Sequence, residues 1–180
     1  DLKLHDIPNT VAGGIRAVMD LAPTYITIHA SGGREMMKAA VEEAGAQARK
    51  LGIERPKLLG VTVLTSLDRG DLEATGVPAE PADQVVRLAA LAQDSGLDGV
   101  ICSPLEIAAL RRRCGPDFVL MVPGIRPVGS AANDQKRAMT PRQAVDLGAT
   151  HLVVGRPIYK ADDPRAAAEA IAREAGVNEL

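Results

Sequence analysis

Asp1, Lys3 and Asp6 place two carboxylates and an ammonium within six residues. Along a strand, successive side chains point to opposite faces, so Asp1 and Lys3 share one face while Leu2 and Leu4 share the other. The apolar pair can face a helical layer, and the charged pair then faces inward or toward a strand end. Ionised groups are rarely buried without partners. Asp6 follows as the strand gives out, and Pro8 bars its continuation. The stretch therefore brings alternating charge to one point, as a reactive centre needs and as a structural ion pair at a strand end also would.

A second group of polar residues follows other apolar runs. These are His29-Ala-Ser31-Gly-Gly33, Thr65-Ser66, Pro123-Gly-Ile-Arg126-Pro127 with Asp134-Gln135, and Gly155-Arg156-Pro157. Gly155 lets backbone N–H groups approach an anion, and Arg156 offers a planar fork to phosphate oxygens. The alternative reading of Gly155-Arg156-Pro157 is a tight turn with an exposed arginine.

The elements that must position these groups read as βα, repeated without interruption. The chain starts with a strand end over 1–4 and a helix over 9–21, which Asn9 or Thr10 can cap. Strands are predicted over 25–29, 58–64, 99–102, 118–122 and 151–154, as short apolar or β-branched runs. Helices are predicted over 34–51 with Gly52 as the stop, 82–95, 104–113, 141–147 with Thr140 as the cap, and 164–174. Long loops occupy 65–81, with room for a short helical turn, and 123–139.

Short strands buried on both faces point to a parallel sheet. About six βα units are present, the first clipped, whereas a closed (β/α)8 TIM barrel has eight and typically takes about 250 residues. Residues 1–180 are therefore expected to form a single barrel domain that supplies roughly the last six units. A doubly wound open sheet is the rival, but no Gly-x-Gly-x-x-Gly fingerprint opens a helix after a strand. In a barrel, every polar motif above lies at the C-terminal face, and loops after the last two strands commonly hold phosphate. An incomplete barrel leaves an open sheet edge, so the isolated chain is expected to fold poorly or aggregate.

The totals narrow the field. The 180 residues are 46% hydrophobic and 24% charged, with net charge −2, as in ordinary soluble globular proteins. The 2% aromatic content offers no stacking platform for single-stranded nucleic acid. Arg111-Arg112-Arg113 reads as a solvated helix end rather than a nucleic-acid patch. Cys102 and Cys114 lack metal-ligand spacing and fit reduced, buried thiols in a cytoplasmic protein. No segment resembles a signal peptide or membrane span. His5, His29 and His151 read as structural residues, as do the packing methionines Met36 and Met37.

With the motifs assembled, the chain resembles the orotidine 5'-phosphate decarboxylase family, which makes UMP in pyrimidine biosynthesis. The resemblance rests on Asp1-x-Lys3-x-His5-Asp6-Ile7-Pro8-Asn9-Thr10, Val61-Thr-Val-Leu-Thr65-Ser66, Pro123-Gly-Ile-Arg126-Pro127 with Asp134-Gln135, and Val154-Gly155-Arg156-Pro157. Asp1-x-Lys3-x-x-Asp6 alone is shared with metal-dependent sugar-phosphate lyases of the same barrel type. The Ile7 to Thr10 tail and the Arg126 to Gln135 loop point to the orotidylate branch in its bacterial form.

The resemblance implies that Lys3 is the general acid that protonates C6 and that Asp1 sits beside the departing carboxylate. It implies that Asp6 and Thr10 reach the partner's active site in a homodimer. Thr65 and Ser66 would lie at the pyrimidine, and Arg126, Gln135, Gly155 and Arg156 would hold the phosphate. It implies no cofactor and no metal, orotidine 5'-monophosphate as the small-molecule partner, and a cytoplasmic location without nucleic acid or membrane. The family's Lys-Asp-Lys-Asp charge network begins with a lysine on an earlier strand, and an aspartate that contacts the ribose also lies upstream. Neither position is in this sequence, which is expected to hold only part of the site. Two other readings stand beside it: a metal-dependent sugar-phosphate lyase, and a non-catalytic phosphate-binding fragment.

Overall fold

A computed structural model describes residues 1–127 and 139–177. Helix α1 (Pro8–Val18) leads into β1 (Tyr25–His29), α2 (Arg34–Leu51) and β2 (Lys57–Val61). Then come α3 (Arg69–Ala74), α4 (Pro81–Asp94), β3 (Gly99–Ile101), α5 (Ile107–Cys114) and β4 (Val119–Val122). The chain continues through α6 (Pro141–Asp146), β5 (His151–Leu152), α7 (Arg156–Tyr159) and α8 (Pro164–Glu174).

The five strands are all parallel, and their spatial order follows the sequence. A doubly wound sheet reverses its strand order at a switch point, and this one does not. Leu4 adds one parallel rung to β1 on the side away from β2: its N–H donates to Thr27 O (3.1 Å), and its carbonyl accepts from His29 N (2.9 Å). The sheet is also curled. With strands about 4.8 Å apart, β1 and β5 would stand about 19 Å apart in a flat sheet, too far for their side chains to touch. Tyr25 Oη nevertheless lies 2.8 Å from His151 Nε2. Sequential parallel order with this curvature is the wall of a (β/α)8 TIM barrel.

Strands β1 to β4 bury residues on both faces. Ile26, Ile28, Leu58, Val100, Leu120 and Val122 form one core with Ala40, Ala44 and Ala48 of α2 and with the other helices. The alternate residues Thr27, Val61, Ile101 and Met121 face the barrel interior. Gly99 permits the tight β3–β4 approach, because a Cβ there would lie 2.3 Å from Val119 O.

Three expectations need correction, and a fourth is met. Helix α1 starts at Pro8 with Ile7 as its N-cap and no side-chain cap, so neither Asn9 nor Thr10 caps it. Proline lacks an N–H and has a preset φ, which suits it to the first turn. Strand β2 ends at Val61 rather than Leu64, and Thr62 just beyond it donates both its N–H (3.3 Å) and its hydroxyl (2.7 Å) to Ile101 O. The 65–81 loop holds its expected short helical turn as α3, opened by a reciprocal Asp68–Asp71 capping box. Arg111 is not solvated: its guanidinium donates to the carbonyls of Gly115, Pro116, Phe118 and Gly148 and ties α5 to the segments entering β4 and β5.

Candidate active site at the strand ends

Lys3 forms an ion pair with Asp1, Nζ to Oδ2. Asp1 Oδ1 accepts a second hydrogen bond, from Thr27 Oγ1 at 2.6 Å, and the same hydroxyl accepts Lys3 N–H at 2.9 Å. Lys3 has φ +50°, in the left-handed region that non-glycine residues seldom occupy. Such a backbone costs roughly 1–3 kcal/mol. An ion pair whose side chains are 40% and 60% exposed returns at most about 1 kcal/mol. The arrangement is therefore a poor stability device, and strain of this kind collects at working sites.

The left-handed turn also corrects the simple alternation expected for 1–4. Leu4 packs toward α1, with its side chain close over Gly14, as expected. Leu2 does not share that face. It is 52% exposed and borders the same cavity as Asp1 and Lys3, because the turn at Lys3 breaks the two-residue period.

That cavity has a volume of about 670 Å³. Its walls are mainly apolar, among them Val61, Ile101, Met121 and Val153, with Asp1, Lys3, Thr27 and Thr65 as polar members. A few polar groups converging in an apolar hollow of this size suit a small molecule. Beside it His5 stacks on His29, with ring centroids 5.1 Å apart and planes at 24°. Burial, then the positive charge of His5 and of Lys3, hold His29 below its ordinary 6.5.

Thr65 and Ser66 form a turn after β2, closed by Leu67 N–H on Leu64 O at 3.0 Å. Thr65 lines the cavity and Ser66 is exposed beside it. Arg126 follows β4, and Gly155 and Arg156 follow β5. Val122 and Leu152 are register partners, so both segments leave the sheet at the same end. Arg126 Nη1 donates to Ile125 O (2.8 Å), while its Nε is buried with no hydrogen-bond partner among the described residues. A parallel bridge between Ile125 and Met139 closes the base of the loop that carries Asp134 and Gln135, and those two residues lie outside the described ones. Gly155 is the N-cap of α7, its carbonyl accepting from Ile158 and Tyr159. Asp6 and Thr10 are exposed and do not line the cavity, Asp6 being turned onto Ile7 N–H at 2.7 Å.

The sequence model of the Orotidine 5'-phosphate decarboxylase / HUMPS family matches residues 1–171. The chain belongs to that family. It is 58% identical over 174 residues to the orotidine 5'-phosphate decarboxylase of Rhodospirillum rubrum, covering 97% of this chain and 70% of the relative. It is 55% identical over 177 residues to that of Paramagnetospirillum magneticum, covering 98% and 75%. Among solved structures, the orotidine 5'-phosphate decarboxylase of Lactobacillus acidophilus superimposes with a TM-score of 0.85 at 44% identity, covering 98% of this chain and 73% of the other.

Within this member of the decarboxylase / HUMPS family, the fold brings Asp1, Lys3 and Thr65 to one cavity and sends Asp6 and Thr10 to the surface. Thr27 escaped the sequence reading. Its signal was available: a polar residue on the same strand face as Tyr25 and His29, in a run otherwise β-branched or aromatic. Cys102 and Cys114 are free and buried, and burial pushes both thiols up. Among the described residues no three His, Cys, Asp or Glu side chains gather to hold a metal ion, and no helix is long and apolar enough to cross a membrane.

Proposed function

We propose that the chain decarboxylates orotidine 5'-monophosphate to UMP and carbon dioxide without a metal or organic cofactor. The observation that carries this is the Lys3 ammonium paired with Asp1, whose other oxygen accepts the Thr27 hydroxyl, at the wall of an apolar cavity. Loss of the carboxylate leaves an electron pair on C6, where the ring does little to delocalise it. A fixed positive charge meets that pair as it develops, and preorganised charge is the strongest stabilisation such a site can supply. The C6–carboxylate bond breaks, carbon dioxide departs, and Lys3 gives its proton to C6. Asp1 pairs with the Lys3 ammonium and stands where the substrate carboxylate must leave.

In this reading Thr65 and Ser66 address the pyrimidine. Arg126, Gln135, Gly155 and Arg156 take the phosphate, with the partnerless Nε of Arg126 as one donor. Binding at the phosphate supplies energy for assembling charge at C6. Asp6 and Thr10, exposed with Ile7 around the start of α1, face the neighbouring active site of a homodimer. Residues 1–180 act as one barrel domain contributing six βα units, in a cytoplasmic enzyme of pyrimidine biosynthesis that engages neither nucleic acid nor membrane.

The test is conversion of orotidine 5'-monophosphate in chelator, with UMP identified as product. Chelator-insensitive conversion supports the reading. Conversion of a sugar phosphate only with magnesium would replace it with the lyase reading. UMP binding without conversion would leave a phosphate-binding protein.

A further inference from the structure

We propose that Thr27 is a positioning residue for the decarboxylation; this rests on Lys3 being the proton donor. The hydroxyl has one hydrogen and uses it on Asp1 Oδ1 at 2.6 Å. A lone pair of the same oxygen takes Lys3 N–H at 2.9 Å. One atom therefore fixes both the carboxylate that pairs with Lys3 and the backbone from which Lys3 projects. Among the described residues, the hydrogen-bond donors to the Asp1 carboxylate are Lys3 and Thr27.

Thr27 suits the task because it is itself held. It lies in the middle of β1, is 7% exposed, and is in register with Leu59 of β2. Its carbonyl accepts Leu4 N–H at 3.1 Å, so the segment around Lys3 is gripped at successive residues. Its β-branched side chain is stiff at χ1, and a site on a strand is placed more sharply than one on a loop. Lys3, by contrast, sits at φ +50° with an exposed side chain and has no such support of its own. Without the Thr27 hydroxyl, Asp1 loses its tie to β1 while still paired with Lys3, and Lys3 can relax toward negative φ, which moves the pair and its ammonium.

The experiment compares Thr27→Val, which keeps the shape and removes the oxygen, with Thr27→Ser, which keeps the oxygen. We expect Thr27→Val to lower kcat about 10- to 100-fold with KM changed less than about threefold, because misplacing a reacting group by about 1 Å costs this much. Thr27→Ser is expected to retain kcat within about threefold. A Thr27→Val enzyme at the parent kcat, or a Thr27→Ser enzyme as slow as Thr27→Val, overturns the proposal. Should Thr27→Val not fold, Thr27→Ala takes its place. A second readout needs no turnover: hydrogen exchange at the Lys3 amide, which should quicken in Thr27→Val and stay slow in Thr27→Ser. An unchanged rate in Thr27→Val overturns the contact. If the parent converts no substrate, the function reading fails while the exchange measurement still decides the role of Thr27.

Discussion

Tyr25 Oη and His151 Nε2 meet at 2.8 Å, joining the first residue of β1 to the first residue of β5 across the barrel. The direction of this bond follows from its neighbours. Thr150 Oγ1 donates its one hydrogen to Leu120 O (2.9 Å) and accepts Leu120 N–H (2.9 Å), so His151 Nδ1, 3.1 Å away, must be the donor to it. A neutral imidazole then has a bare Nε2, which accepts from Tyr25 O–H. Tyr25→Phe leaves that nitrogen without its donor. We expect a loss of about 1–2 kcal/mol in denaturant unfolding and an unchanged kcat. Unchanged stability would show that the pair does not hold the curl of the sheet.

Stability should fall with acid through the histidines. Burial, with Lys57, holds His151 below its ordinary 6.5, and burial, His5 and Lys3 hold His29 below the same value. The unfolded chain then binds more protons than the folded one as pH drops past about 6.5, so stability rises with pH in that range. The contribution is complete above that value and declines until pH passes below both folded values. Glu43, held below its ordinary 4.5 first by its hydrogen bond from Arg16, loses its contribution only in more acid solution. Urea midpoints at pH 7.5 and 5.5 should differ, and His151→Gln should shrink the difference. A flat profile contradicts this account.

Arg156→Ala should weaken UMP binding and lower kcat, each by about tenfold or more, since phosphate binding energy is drawn on at the transition state. Arg112→Ala, at an exposed helix end, is the control and should change neither. If calorimetry and kinetics find Arg156→Ala at parental values, the phosphate lies elsewhere.

Local chemistry made much of this fold legible in the sequence. Tyr25–His29 is β-branched at its three central positions, and Arg34–Leu51 runs to Gly52, whose left-handed φ of +67° ends the helix. Thr140 caps α6 just before Pro141. What escaped depends on contacts distant in sequence. The left-handed φ of Lys3 is held by Thr27, 24 residues away. Arg111 reaches Gly148 across 37 residues, and Tyr25 reaches His151 across 126. The same limit applies to the site: residue types and spacing single out Asp1 and Lys3, whereas Thr27, polar on its strand face in the sequence, shows its tie to both only when β1 and the N-terminal segment lie side by side.

The most direct test of the central claim compares the parent with Lys3→Ala, following loss of orotidine 5'-monophosphate absorbance in chelator and UMP affinity by calorimetry. We expect the parent to convert its substrate and Lys3→Ala to lose at least about 10⁴-fold in kcat, roughly 5 kcal/mol of barrier, while UMP affinity stays within about threefold. Turnover by Lys3→Ala within about tenfold of the parent would remove Lys3 from the acid role and contradict the account.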